Sequence, residues 1–339
     1  MLKLPCSGTV VTASKTSAYG NTIQSCYDRL YYSMKETFRT NFQLFCIFES
    51  GNTADPLDEI ILLASQICPQ SDCSLLRKVH RDVSTIFSGH SHGFEAGDTG
   101  YHNLRHTHSV VLATIRLFHG LYHQNRLLPA DIIFQGLLSA YFHDSGMLPQ
   151  NLEEAHNGAS YAQHHEKRSI AILDHYLRDN DFPNQYCRNC ETIIQYTMLE
   201  WEADDSEMED NRLHLCGQVV GTADLLAQMA DRYYLESLPL LFQEHRNSGI
   251  DKHTSALDLM HSTLDFHDQV IKKRLNKTLG NIAPAMQTHF RTRWNIDRNL
   301  YLENIQLNLD YLKKITEDCS MDLSCWGKYL RRNPPEANL

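Results

Sequence analysis

Two histidines four residues apart, His102 and His106 in YHNLRHTHSVV (101–111), are the first residues of this chain that could do chemistry together. On a helix that spacing sets both imidazoles over one side of a single turn. His108 raises the local density, and Val110, Val111, Ala113, Ile115, Leu117 and Phe118 would anchor such a helix in a core. A histidine pair needs carboxylates to become a site. His143-Asp144 closes a later apolar stretch, and Asp224 stands alone inside GQVVGTADLLAQM (217–229). Imidazole nitrogens and carboxylate oxygens together suit zinc, iron or manganese, and a second, carboxylate-bridged ion suits magnesium or manganese. A metal with open positions lowers the pKa of a bound water to about 7, which is hydrolytic chemistry.

The elements that must position these groups read as helices. Residues 55–67 open with Asp55 as N-cap and Pro56 in the first turn ahead of LDEIILLASQI, and Leu75–Phe87 repeats apolar positions at helical spacing. The glycine-bearing SGHSHGFEAGDTG (88–100) is a loop feeding the histidine stretch. Helical patterns resume over 108–123 and 129–145, the latter ending in the His-Asp pair. YAQHHEKRSIAILDHYL (161–177) carries His164, His165 and Glu166 in its first turns, and 188–201 gives a further helix. The acidic EADDSEMEDN (202–211) reads as a solvated turn or frayed helix start. Helical segments continue to residue 332 with breaks at Pro239, Gly249, Gly280 and Pro284, and no series of alternating strands appears. The fold class is therefore all-α, without internal repeats. Residues 1–54, with Tyr27, Leu30, Tyr31, Met34 and Phe38 at helical spacing, read as an N-terminal helical extension, and 55–339 as the main domain.

Composition narrows the partners. The 339 residues suffice for a sizeable core, and 41 acidic against 31 basic residues give a formal charge of −10. That balance argues against a general nucleic-acid or membrane-surface binder, while a bound cation could still reverse the local field for a phosphate. No apolar run reaches the roughly 20 residues that span a bilayer. The ten cysteines include one lone Cys-x-x-Cys, Cys187 and Cys190, and read as reduced, mostly buried thiols in a cytoplasmic protein.

The order His106, His143-Asp144, Asp224 resembles that of the HD superfamily of metal-dependent phosphohydrolases. More narrowly, YHNLRHTHSV is similar to the Tyr-His-Asn-x-x-His-Ala signature of the class I cyclic nucleotide phosphodiesterases. GTADLL resembles the segment bearing their last metal-binding Asp, and AQHHEKRSIAIL their His-His helix. The resemblance spans about 100–245, weakening onward to 275. It implies a compact multi-helix catalytic domain in which His102 is the general acid and His106, His143, Asp144 and Asp224 are metal ligands. Tyr101, His164 and His165 then line the substrate or support the metals from behind. It implies two divalent ions, Zn or Fe at the first site and Mg or Mn at the second, a small nucleotide substrate, and leaves room for a homodimer. The implied activity is hydrolysis of a 3',5'-cyclic or related nucleotide by a metal-bound hydroxide.

The chain also departs from that family. Met147 stands where the family has a further His, Ala162 where it has a Glu before the paired histidines, and Ala227 where it has a base-contacting Asn. The purine-binding Gln falls near Thr263, which lacks a bidentate amide; Gln243 and Gln269 are near in sequence only. Two other enzyme readings therefore stay in view: a nucleotidase or phosphomonoesterase, and a di-iron oxygenase drawing further ligands from His164, His165, His175 or His214. A nucleotide-binding sensor that does not hydrolyse is a fourth.

Overall fold

The computed structural model describes residues 56–91, 94, 100–149, 164–201 and 210–332. Every regular element among them is helical. In order they are α1 (Leu57–Ile67), α2 (Ser74–Phe87), α3 (Leu104–His123), α4 (Ala130–Phe142), a 3₁₀ turn (Ser145–Met147), α5 (His165–Asp179) and α6 (Asn184–Gln195). There follow α7 (Asn211–Met229), α8 (Tyr234–Asn247), α9 (Ala256–Phe266), a π turn (His267–Ile271), α10 (Lys272–Asn276), α11 (Ala285–Trp294), α12 (Leu300–Cys319) and α13 (Leu323–Tyr329). The all-α reading holds. The expected helix at 27–38, the Asp55 cap, and residues 150–163 and 202–209 lie outside the described residues.

Helix α3 is the centre of the packing, with α1, α4, α7 and α11 laid against it. Every residue from Val110 to Leu121 is buried, so this stretch of the helix is enclosed on all sides rather than on one face. Leu117 and Ile115 are fully enclosed, and truncating one of them, as in Leu117→Ala, costs about 2–5 kcal/mol through lost burial and the cavity left behind. The helix starts at Leu104 and not at 108, because Asn103 caps it: its side-chain oxygen accepts a hydrogen bond from His106 N at 3.1 Å. One consequence corrects the helical pairing of the two histidines. His102 precedes the cap, so it and His106 do not share a helical turn.

Other boundaries shift for local reasons. The sixth helix runs over 184–195 and not 188–201, and Pro183 sits at its N-cap position, where a missing N–H costs nothing. Asp210 caps α7 by accepting from Arg212 N at 2.9 Å, which defines the end of the acidic stretch as a helix start. Pro239 does not break the chain but lies inside α8. The thiols are not all reduced: Cys319 and Cys325 form a disulfide that ties the end of α12 to α13. No helix among the described residues is long and apolar enough to cross a membrane.

Candidate metal centre

Three helices deliver the candidate ligand set. Asn103 sets the start of α3 and so places His106 in its first turn. Helix α4 ends at Phe142, leaving His143 at its C-cap and Asp144 at the head of the 3₁₀ turn. Asp224 projects from the middle of α7, whose neighbours Ala223 and Leu226 are fully buried. Both α4 and α7 pack on α3, and that packing is what brings residues 106, 143, 144 and 224 together.

The convergence is close. His106 Nε2 lies 3.3 Å from Asp144 Oδ2 and 3.2 Å from Asp224 Oδ1. His143 Nε2 lies 3.1 Å from Asp144 Oδ2, 3.6 Å from Asp224 Oδ1 and 3.4 Å from His106 Nε2. His143, Asp144 and His106 form the group among the described residues whose donor atoms all fall within 4.8 Å of one another. Their side chains are 10% exposed or less.

The hydrogen bonds around this group decide what it can hold. His143 Nδ1 is 2.9 Å from the carbonyl of Ala140, an atom that can only accept, so Nδ1 carries the proton. In neutral His143 the Nε2 lone pair therefore faces two carboxylates and another imidazole nitrogen. Asp144 Oδ2 is buried and takes no well-formed hydrogen bond among the described residues. Lone pairs so arranged repel unless a proton or a cation sits among them. The protein's own charges show the first solution: burial pushes the His143 and His106 imidazoles down, but Asp144 and Asp224 outweigh it and raise both. Burial raises the two carboxyls in turn, and the facing histidines hold them below the ordinary carboxylate range. A divalent cation is the second solution. It would displace those protons, and the mixed nitrogen and oxygen donors fit it.

His102 stands beside the centre with a different partner. Its ring lies 6.1 Å from that of His106 and 5.9 Å from that of His165. Its Nδ1 is 2.6 Å from Glu244 Oε2, while Glu244 Oε1 accepts from Tyr101 N at 2.7 Å and His102 N at 3.3 Å. One carboxylate thus fixes both the backbone and the ring. Burial lowers the His102 pKa, but Glu244, Asp144 and Asp224 raise it further, to about 9. A cation at the centre would offset the two aspartates; the Glu244 contribution stays. Sequence reading missed Glu244. Its only trace is an acid ending the buried face Tyr234, Leu235, Leu238 and Phe242 of α8, the same kind of signal that marks Asp224.

The remaining assignments divide. Tyr101 is buried against His102, ring centroids 4.9 Å apart, and its hydroxyl has no hydrogen-bond partner among the described residues. His165 reaches the centre, Nε2 at 3.6 Å from Asp144 Oδ1, and its Nδ1 lies 3.4 Å from Glu166 Oε2. His164 does not: it is the exposed N-cap of α5. His175 pairs with Asp179 in solvent, and His214 bonds the Gln218 side chain, so neither supplies further ligands. His108 stacks on His80 instead. Gly146 allows the approach of α5 to Asp144: a Cβ there would collide with the carbonyl oxygen of His165 and lie 2.7 Å from Ser169 N. Its own N–H donates to Ser169 Oγ at 2.8 Å. Met147 is buried, as are Ala227 and Thr263, whose hydroxyl donates back to the Leu259 carbonyl at 2.8 Å. Gln243 and Gln269 are exposed.

Compared with known protein families, curated proteins and solved structures, the chain shows no significant match to any of them.

Proposed function

We propose that the protein is a metal-dependent phosphohydrolase acting on a 3',5'-cyclic or related nucleotide. The observation that carries this reading is the convergence of the buried Asp144 Oδ2 on two imidazole nitrogens 3.4 Å apart, with Asp224 against the same pair. His106, His143, Asp144 and Asp224 would hold the first ion, Zn or Fe; Asp144, whose Oδ1 is turned toward His165, would share a second, Mg or Mn. Ions bound there would supply a polarised phosphoryl oxygen and an ionised water at neutral pH.

The chain's own contribution is the proton. His102 is held protonated by Glu244 at neutral pH and stands at the edge of the centre, where it can donate to a departing alkoxide oxygen. Glu244 takes no proton itself, because the charged His102 keeps its carboxyl low against the upward push of burial. His165 and Tyr101 bound the space between proton donor and ligands.

A phosphomonoesterase or nucleotidase is the second reading, favoured by the inward-turned Thr263 and buried Ala227 at the base-contacting positions. Elemental analysis run beside a panel of 3',5'-cyclic nucleotides, nucleoside monophosphates and model phosphodiesters tests both. Turnover of diesters with bound metal is the expected result, and turnover confined to monoesters selects the second reading. Metal-loaded protein that cleaves nothing on the panel overturns both.

A further inference from the structure

A cleft of about 870 Å³ is formed by the first turn of α5 (His164, Glu166, Lys167), the turn after α6 (Met198, Leu199, Glu200, Trp201) and the turn after α8 (Ile250, Asp251, Lys252). Two of these segments also build the metal centre. His165, between His164 and Glu166, reaches Asp144. The helix whose Glu244 holds His102 ends in the turn that carries Ile250.

The walls are fixed in advance. Buried Arg274 donates to the carbonyls of Tyr196 at 2.8 Å and of Leu199 and Trp201 at 3.0 Å, so one guanidinium pins the whole turn after α6. The Trp201 ring is backed by that of Tyr196, centroids 4.2 Å apart. After α8, Gly249 takes the left-handed conformation, φ +68°, that lets Ile250 N return to the His245 carbonyl at 2.9 Å. The lining is apolar at Met198, Leu199, Trp201 and Ile250. The charged groups around it are three carboxylates, Glu166, Glu200 and Asp251, against two lysines, Lys167 and Lys252. A volume of this order suits a ligand of nucleotide size, a tryptophan suits a flat ring, and the acidic excess disfavours additional phosphates.

We propose that this cleft holds the organic group of a singly phosphorylated ester, its flat ring on Trp201, while the phosphate lies at the metal centre. The inference rests on the phosphohydrolase reading and gives it a substrate class. Ring recognition is by stacking, in place of the amide contacts that Ala227 and Thr263 cannot make, and so tolerates purines and pyrimidines alike.

Calorimetric titration of the metal-loaded full chain tests it with slowly cleaved probes: adenosine and cytidine 3',5'-cyclic phosphorothioates, adenosine 5'-triphosphorothioate, and inorganic thiophosphate. Both cyclic probes should bind at least about tenfold more tightly than thiophosphate, and the triphosphate more weakly than the cyclic probes. Trp201→Ala should remove about tenfold from the cyclic probes while leaving thiophosphate affinity and metal content unchanged, and Trp201→Phe should retain most of the affinity. Cyclic-probe affinity indifferent to Trp201→Ala overturns the proposal, as does an equal loss for thiophosphate, which would mark a structural role. The two readings fail separately. Trp201-dependent binding without hydrolysis keeps the cleft and removes the enzyme; hydrolysis without Trp201 dependence does the reverse.

Discussion

At the N-terminal end of α3, His102 and His106 meet Glu244, Asp144 and Asp224; in its last turns, His119 and His123 are again four residues apart, with His289 of α11 against them. His119 Nδ1 and His289 Nδ1 are 3.2 Å apart, and the rings of His119 and His123 have centroids 4.5 Å apart. The charged neighbours there are Arg116 and Arg293, the latter bound by Glu59 at 3.1 Å. Burial and these cations push His119 down to about 4 and His289 well down, whereas the carboxylates at the first end raise His102 to about 9. Imidazole clusters at the two ends of one helix thus shift in opposite directions, and the sign of the surrounding charge decides which way each goes.

That contrast can be broken at either end. The largest effect is expected from Asp144→Ala, which removes the buried oxygen between the imidazoles: metal content should collapse and turnover fall by about a thousandfold or more, read by elemental analysis beside initial rates. His102→Ala should keep the metals yet lose about 10²–10⁴ in kcat, the usual range for a general acid; equal metal loss in both variants would end the division of roles. Glu244→Gln sits next, at about 10–100-fold. It should also shift the alkaline limb of the kcat profile to lower pH, because the amide cannot sustain the raised pKa of His102.

The smallest effect lies at the far end and concerns stability. His119 and His289 bind protons less readily folded than unfolded, so their contribution is complete above the unfolded pKa of about 6.5 and is lost as pH falls toward 4. Thermal midpoints measured from pH 7.5 to 4 should fall across that window, and His289→Gln should flatten the fall while leaving metal content at pH 7.5 as in the parent.

Much of this was legible before the fold was seen. His143, Asp144 and Asp224 declare themselves because each is a polar group at the end of, or inside, an apolar run, and burial of such a group demands a partner, whereas His106 stands out by its spacing from His102 and its place ahead of such a run. The helices around them follow from the same periodicity. Glu244 was not legible: its partner lies 142 residues away, and no local pattern states which acid a distant helix will turn inward. The apolar pattern starts α3 four residues late because an asparagine cap leaves a weaker trace in sequence than an apolar stripe. Pro239 failed as a break because the packing of Leu235, Leu238 and Phe242 outweighs one missing hydrogen bond. The pairing of Cys319 with Cys325 depends on the turn between two helices, which spacing alone does not fix.

Gly146 carries a consequence for anyone searching this chain by random mutagenesis. It holds no proton, binds no ion and has no side chain to lose, yet any larger residue must push the first turn of α5 away. His165 would retreat from Asp144, and the cleft wall that begins at His164 would move with it. A screen for inactive variants should therefore return this position among its strongest hits, and an inventory of reactive groups would leave it out.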